Sequence, residues 1–117
     1  MYTNIIIDCD APFDGVFVQQ LKMLKERHKA NLIVCDSEDS KRKEWCFDSC
    51  GNLIDEYRAL DMLIDEYDPK LTLFISDSSE QLVMFKEKGF TTNSPIEMRK
   101  AYDKAVGIMK ALVSKPQ

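Results

Sequence analysis

The chain has 117 residues, 44% of them hydrophobic, enough for one compact domain with a real core and too few for a second. Sixteen Lys and Arg against twenty Asp and Glu give a net charge of −4, and the two signs are mixed along most of the sequence, which argues against a broad nucleic-acid-binding face. No window approaches the roughly 18 apolar residues that span a bilayer, and Met1 to Ile7 lacks a basic start and a long apolar core, so a cytoplasmic protein with no membrane partner is expected.

The first element is the run Ile5-Ile6-Ile7, which ends abruptly in Asp8-Cys9-Asp10. A β-branched run of this kind predicts a buried parallel strand, and ligands of open α/β sheets bind beyond the carboxyl ends of such strands. Residues two apart on an extended chain face the same side, so Asp8 and Asp10 form a paired-carboxylate candidate site. From Val16 to His28, Phe17, Leu21 and Leu24 recur at helical spacing among charges, predicting an amphipathic helix. Asn31 to Cys35 predicts a second strand, running into Asp36 and Ser37.

Ser40 is a candidate cap for a short helix through Trp45 to Ser49, with Gly51 as its stop. A longer helix is predicted from about Leu53 to Tyr67, with Leu53, Tyr57, Leu60, Ile64 and Tyr67 on one face and Pro69 closing it. Leu71 to Ser76 predicts a third strand, followed by Asp77 and by Ser78 and Ser79 at a helix start. That helix runs to Lys88 with Leu82 and Phe85 inward and stops at Gly89, and Phe90-Thr91-Thr92 predicts a short last strand. Ser94 as cap, Pro95 at the first helical position and Glu97 in the first turn start a final helix expected to bury Ile96, Tyr102, Val106, Met109 and Val113.

Strands alternating with helices predict a three-layer α/β sandwich with a mostly parallel sheet over residues 1–113, and 114–117 as a frayed tail. Parallel neighbouring strands would gather Asp8, Asp10, Asp36 and Asp77 at one edge. Carboxylates crowded together call for a cation, and hard oxygen donors point to Mg²⁺. Cys9, Cys35, Cys46 and Cys50 lack the C-x₂-C spacing of a zinc knuckle and read as small buried thiols in a reducing compartment. His28, the only histidine, reads as a surface residue at a helix end, and Trp45 as a core anchor rather than a base-stacking platform.

Taken in order, these motifs resemble the haloacid dehalogenase superfamily, and within it the small capless phosphatases such as the 3′-phosphatase domain of polynucleotide kinase. The resemblance rests on Asp8-Cys9-Asp10-Ala11-Pro12 at the first strand tip, Phe74 to Val83 around Asp77, and Phe85-Lys86-Glu87-Lys88-Gly89-Phe90, and covers most of the chain. It implies a Rossmann-like sheet and Mg²⁺-dependent hydrolysis of a phosphomonoester. Asp8 would be the nucleophile, Asp10 the general acid and base, and Asp8, Asp10 and Asp77 the metal ligands.

Three positions depart from the family pattern. Cys35, with Ser37 two residues on, stands where a Ser or Thr grips phosphate; Arg58 is the nearest substitute for the usual Lys; and Ala11-Pro12 replaces Gly-Thr. Cys35, Ser37 and Arg58 are therefore the candidate phosphate-binding residues, although a thiol is a weak donor and Arg keeps the charge of Lys without its geometry. The implied partners are a phosphorylated small molecule or a nucleic-acid end, with a protein partner lending a wall to an open site. Two rivals stand beside this reading. One is a degenerate module of the same fold that binds without turnover. The other is a receiver-like phosphoacceptor domain, disfavoured because only 25 residues separate Asp10 from Asp36.

Overall fold

The isoleucine run forms the central strand of the molecule. The computed structural model describes residues 1–9, 15–35, 53–59 and 65–113, with β1 (Asn4–Asp8), α1 (Gly15–His28), β2 (Asn31–Cys35), β3 (Glu56–Arg58), a 3₁₀ turn (Pro69–Leu71), β4 (Thr72–Ser76), α2 (Ser79–Glu87), β5 (Thr91–Asn93) and α3 (Pro95–Val113). The five strands form one all-parallel sheet in the order β3-β2-β1-β4-β5. Asn4 pairs with Asn31 on one side and Thr72 on the other, and Ile7 with Val34 and Ile75. The chain builds outward from β1 to β2 and β3, then crosses to β4 and β5 on the other side. The topological switch point therefore falls between β1 and β4, and the order matches the first five strands of the doubly wound order 3-2-1-4-5-6.

Alternation along each strand divides the core into two layers. Ile5, Ile7, Leu32, Val34, Leu73 and Ile75 face α1 and the start of α3, where Phe17, Leu21 and Met98 meet them. Ile6, Ile33, Cys35 and Phe74 face the other way, toward Phe85 and Phe90, with Leu82 and Tyr67 packed alongside. Phe74 and Phe85 lie parallel with ring centroids 3.7 Å apart, and Phe90 meets Phe85 edge-on at 5.0 Å. The result is the expected three-layer α/β sandwich.

Helices α1 and α2 end in the same way. The amide of the second residue past α1 and of the third past α2 reaches back five positions, Ala30 to Lys25 and Phe90 to Phe85, and the residue just before it takes a positive φ: 51° at Lys29 and 96° at Gly89. At the start of α3, Ser94 Oγ accepts from the Glu97 amide, as the sequence signals. Lys25 ties α1 to the approach to β3. Its Nζ donates to the Leu53 carbonyl and to Asp55 Oδ2, which also accepts from the Leu32 amide.

Four expectations need correction. No helix covers 54–59: Glu56–Arg58 is an edge strand paired with Ile33–Cys35, because Leu32 and Asp55 fix the chain in register beside β2. Leu53 and Tyr57 consequently pack on the α1 side of the sheet and Tyr67 on the α2 side, so they share no face. Helix α3 buries Met98 instead of the expected stripe; Ile96, Tyr102 and Met109 are exposed and Val106 is half-buried. The strand limits shift by one residue, with Leu71 in the 3₁₀ turn and β5 running from Thr91 to Asn93. The short helix over 40–49, Leu60, Ile64, the tail 114–117 and the Val113 side chain lie outside the described residues.

Candidate active site

Four of the five strands contribute a side chain at the carboxyl edge of the sheet. Asp8 ends β1 opposite Ser76, which ends β4. Cys35 ends β2, one position beyond the last β1–β2 pair, and is level with Arg58 at the end of β3. Asp8, Cys35 and Arg58 follow the alternation of Ile6, Ile33 and Glu56 and project to the α2 side of the sheet with Ser76. Ser76, Asp8, Cys35 and Arg58 therefore form one row across four adjacent strands.

Asp8 is only 5% exposed, a buried acid at the switch point of the sheet. Ser76 Oγ donates to Asp8 Oδ2 at 3.0 Å and itself accepts from the Ser78 amide at 3.0 Å. The Asp77 amide reaches the Asp8 carbonyl at 3.4 Å, so the two strand tips are stitched together beside the first turn of α2. Ser78 caps that helix by accepting from the Gln81 amide. Gln81 Oε1 is buried and has no hydrogen-bond partner among the described residues, leaving an acceptor in the first turn of α2.

Arg58 is held by acids. Its guanidinium lies 3.4 Å from Glu56 and 3.6 Å from Glu66, and the Tyr67 hydroxyl donates to Glu56 at 3.1 Å. Nearby Glu66, then the hydrogen bond to Glu56, push the Arg58 pKa still higher, so its charge is permanent. Burial, followed by the bond to Glu56, raises the Tyr67 phenol as well and keeps it neutral. The sequence expectation placed Arg58 on a polar helical face. Pairing of β3 with β2 puts it instead at the carboxyl edge, two strands from Asp8.

Cys9 and Cys35 are both buried free thiols, as expected of small core residues. Cys9 Sγ donates to the Ile75 carbonyl on the α1 side, whereas Cys35 belongs to the α2-side core, so the two lie on opposite faces of the sheet. His28 is far from this edge, at the end of α1, half-buried against the Tyr2 ring and accepting from the Tyr2 amide. Asp10, Asp36, Ser37, Trp45, Cys46 and Cys50 lie outside the described residues.

Among the described residues no cluster of three or more His, Cys, Asp or Glu is arranged around a metal. The oxygen donors at this edge nevertheless suit a hard cation, because Mg²⁺ typically takes one or two carboxylates and completes its shell with water and phosphate oxygens. Asp8 and Asp77 supply two such groups. The role of Ser76 was not read from the sequence, although its place immediately before Asp77 at a strand end was a usable signal. Comparison of the chain with protein-family models, with curated proteins and with solved structures found no match.

Proposed function

We propose that the protein is a Mg²⁺-dependent phosphomonoester hydrolase of the haloacid dehalogenase type, acting on a nucleotide, a polynucleotide end or a small phosphorylated metabolite. The observation that carries this reading is the buried Asp8 carboxylate at the β1–β4 switch point, oriented by the Ser76 hydroxyl. A nucleophile needs a fixed direction of attack, and Ser76 provides it by holding one carboxylate oxygen. The resemblance of the first strand tip to the family's DxD motif adds the second acid.

In this mechanism an Asp8 oxygen attacks phosphorus, the bond to the leaving alcohol breaks, and the Asp10 carboxylic acid protonates the departing oxygen. Water then attacks phosphorus in the aspartyl phosphate, Asp10 takes its proton, and inorganic phosphate leaves as the Asp8 carboxylate is restored. Asp8, Asp10 and Asp77 would hold Mg²⁺, which supplies neutralisation of the phosphate oxygens. Strand spacing puts the Asp8 and Arg58 backbones about 10 Å apart, a gap that an extended arginine side chain and one phosphate can fill. Arg58 would have to exchange Glu66 for the substrate.

The test is hydrolysis of a phosphomonoester panel, including 3′-phosphorylated oligonucleotides, with and without Mg²⁺, comparing wild type with Asp8→Asn. Metal-dependent turnover in the wild type and its loss in the variant are expected. Turnover that survives Asp8→Asn refutes the mechanism.

The two acids on Arg58 and the thiol at the end of β2 favour a second reading, a non-catalytic module that binds a phosphorylated ligand or a protein. Turnover abolished by a chelator would eliminate it. The sheet order differs from the 2-1-3-4-5 order of flavodoxin-like folds, which counts against a receiver domain and against labelling of Asp36 by acetyl phosphate.

A further inference from the structure

Helix α3 carries an apolar stripe that the described residues cover only at the beginning. Met98, Ala101, Tyr102, Ala105, Met109 and Leu112 fall on one face at helical spacing. Met98 is buried, and its carbonyl accepts from Gln20 Nε2 of α1, which fixes the first turns of α3 to the body. Farther along, Met109 is 64% and Leu112 70% exposed, and Ile108 beside them 54%. Large apolar side chains at such exposure on one stripe are unusual for a surface with no partner.

The same helix borders an open apolar groove of about 790 Å³ between α1, β5 and α3. Met98 and Ala101 form its α3 wall, Met23 and Leu24 the α1 wall, and Leu73 and Thr92 its floor. One molecule thus presents an apolar depression at one end of the stripe and apolar projections at the other. The two are related by the spacing of the helix itself.

We propose that a second copy of this chain occupies the groove, through antiparallel pairing of the two α3 helices about a two-fold axis at Ala105. Pairing in that register sets Met109 of each copy against Ala101 of the other and Leu112 against Met98, so each projection meets a groove wall. The small residues Ala101 and Ala105, one turn apart, allow the backbones to approach. The contact is isologous and closes at two copies.

The 19-residue helix is about 28 Å long, and a stripe about 10 Å wide buries on the order of 280 Å² per copy before the groove walls are counted. Helix pairing alone thus buries about 560 Å² in total, below the roughly 1,000 Å² of a stable interface, so the groove walls have to supply the rest and the dimer forms with concentration rather than permanently. Because α3 begins at the carboxyl edge and the groove runs down to Tyr2 at the start of β1, the Asp8 edge stays open in the dimer.

Sedimentation velocity on the full chain between about 10 µM and 1 mM tests the proposal. A monomer–dimer equilibrium is expected, with Met109→Lys and Leu112→Lys raising the midpoint concentration at least about tenfold. These side chains are exposed, so circular dichroism of the variants should match the wild type. Under mild oxidation, Ala105→Cys should give a 105–105 disulfide-linked dimer, whereas Asp103→Cys, exposed on the opposite face of the helix, should not. A monomer at every concentration would overturn the proposal, whether α3 then closes on its own sheet or awaits a different protein. So would association that ignores both lysine variants, or that links position 105 no better than 103.

Discussion

Replacing Ser76 by alanine is the sharpest test of how the carboxyl edge is held together. The hydroxyl is wholly buried, donates to the Asp8 carboxylate at 3.0 Å and accepts from the Ser78 amide at 3.0 Å. Alanine removes one oxygen and leaves little void, so the loss is almost entirely polar. A hydrogen bond to a charged group contributes about 1.5–3 kcal/mol and one from a backbone amide about 1 kcal/mol, giving a destabilisation of about 2–4 kcal/mol. With a urea dependence near 2 kcal/mol per M, the unfolding midpoint should fall by about 1–2 M. Ser76→Cys keeps the shape with a weak donor and should fall between the two. On the proposed phosphatase mechanism, Ser76→Ala should lower kcat more than it raises KM, because the hydroxyl would orient the nucleophile without gripping the substrate. A midpoint within about 0.3 M of wild type would show that the Ser76–Asp8 bond contributes nothing, and the account of this edge would fail.

Phe85→Ala should cost about 3–5 kcal/mol, read by chemical denaturation, since it empties a fully buried ring site and ends both the Phe74 stack and the Phe90 contact. Gly89→Ala should destabilise by about 1–2 kcal/mol, because the strain lies in a φ of 96° and not in the ordinary 3.5 Å approach to Pro69 Cβ; Lys29→Gly, at the matching position after α1, should stabilise slightly. Burial works to raise the Asp55 pKa, but the Lys25 ammonium and the Leu32 amide outweigh it and hold the carboxyl below the ordinary aspartate value. Its stabilising contribution is therefore complete above the unfolded value near pH 4 and disappears as pH falls through the folded value. Asp55→Asn should cost about 1 kcal/mol at neutral pH, and the difference from wild type in thermal unfolding should shrink as pH falls below the ordinary aspartate range.

Local signals located most of the fold. The isoleucine run, the 3.6-residue spacing of Phe17, Leu21 and Leu24, and the Ser94-Pro95-Glu97 start signal each point to a single kind of element, and each forms it. The strand at Glu56–Arg58 was hidden because three residues carry almost no period, while the apolar spacing around them suits a helix. Its conformation comes from the vacant edge of β2 and from Asp55 bridging Lys25 and Leu32, partners distant in the sequence. Arg58 reached the carboxyl edge by the same route. Helix α3 shows the opposite failure. Its amphipathic pattern is genuine, but a pattern states only that a face avoids water, and most of that face is left exposed by the described residues.

The sequence by itself determined that this is an α/β protein, that β1 is buried on both faces, and that carboxylates stand at the tips of β1 and β4, since all of these follow from side-chain type and short-range spacing. Tertiary structure alone decided that β1 and β4 are neighbours across a switch point, that Ser76 holds Asp8, that acids hold Arg58, and that α3 is left with an uncovered face. The physical reason is that strand order and register are settled by hydrogen bonds and packing between segments up to about seventy residues apart, which no local pattern encodes.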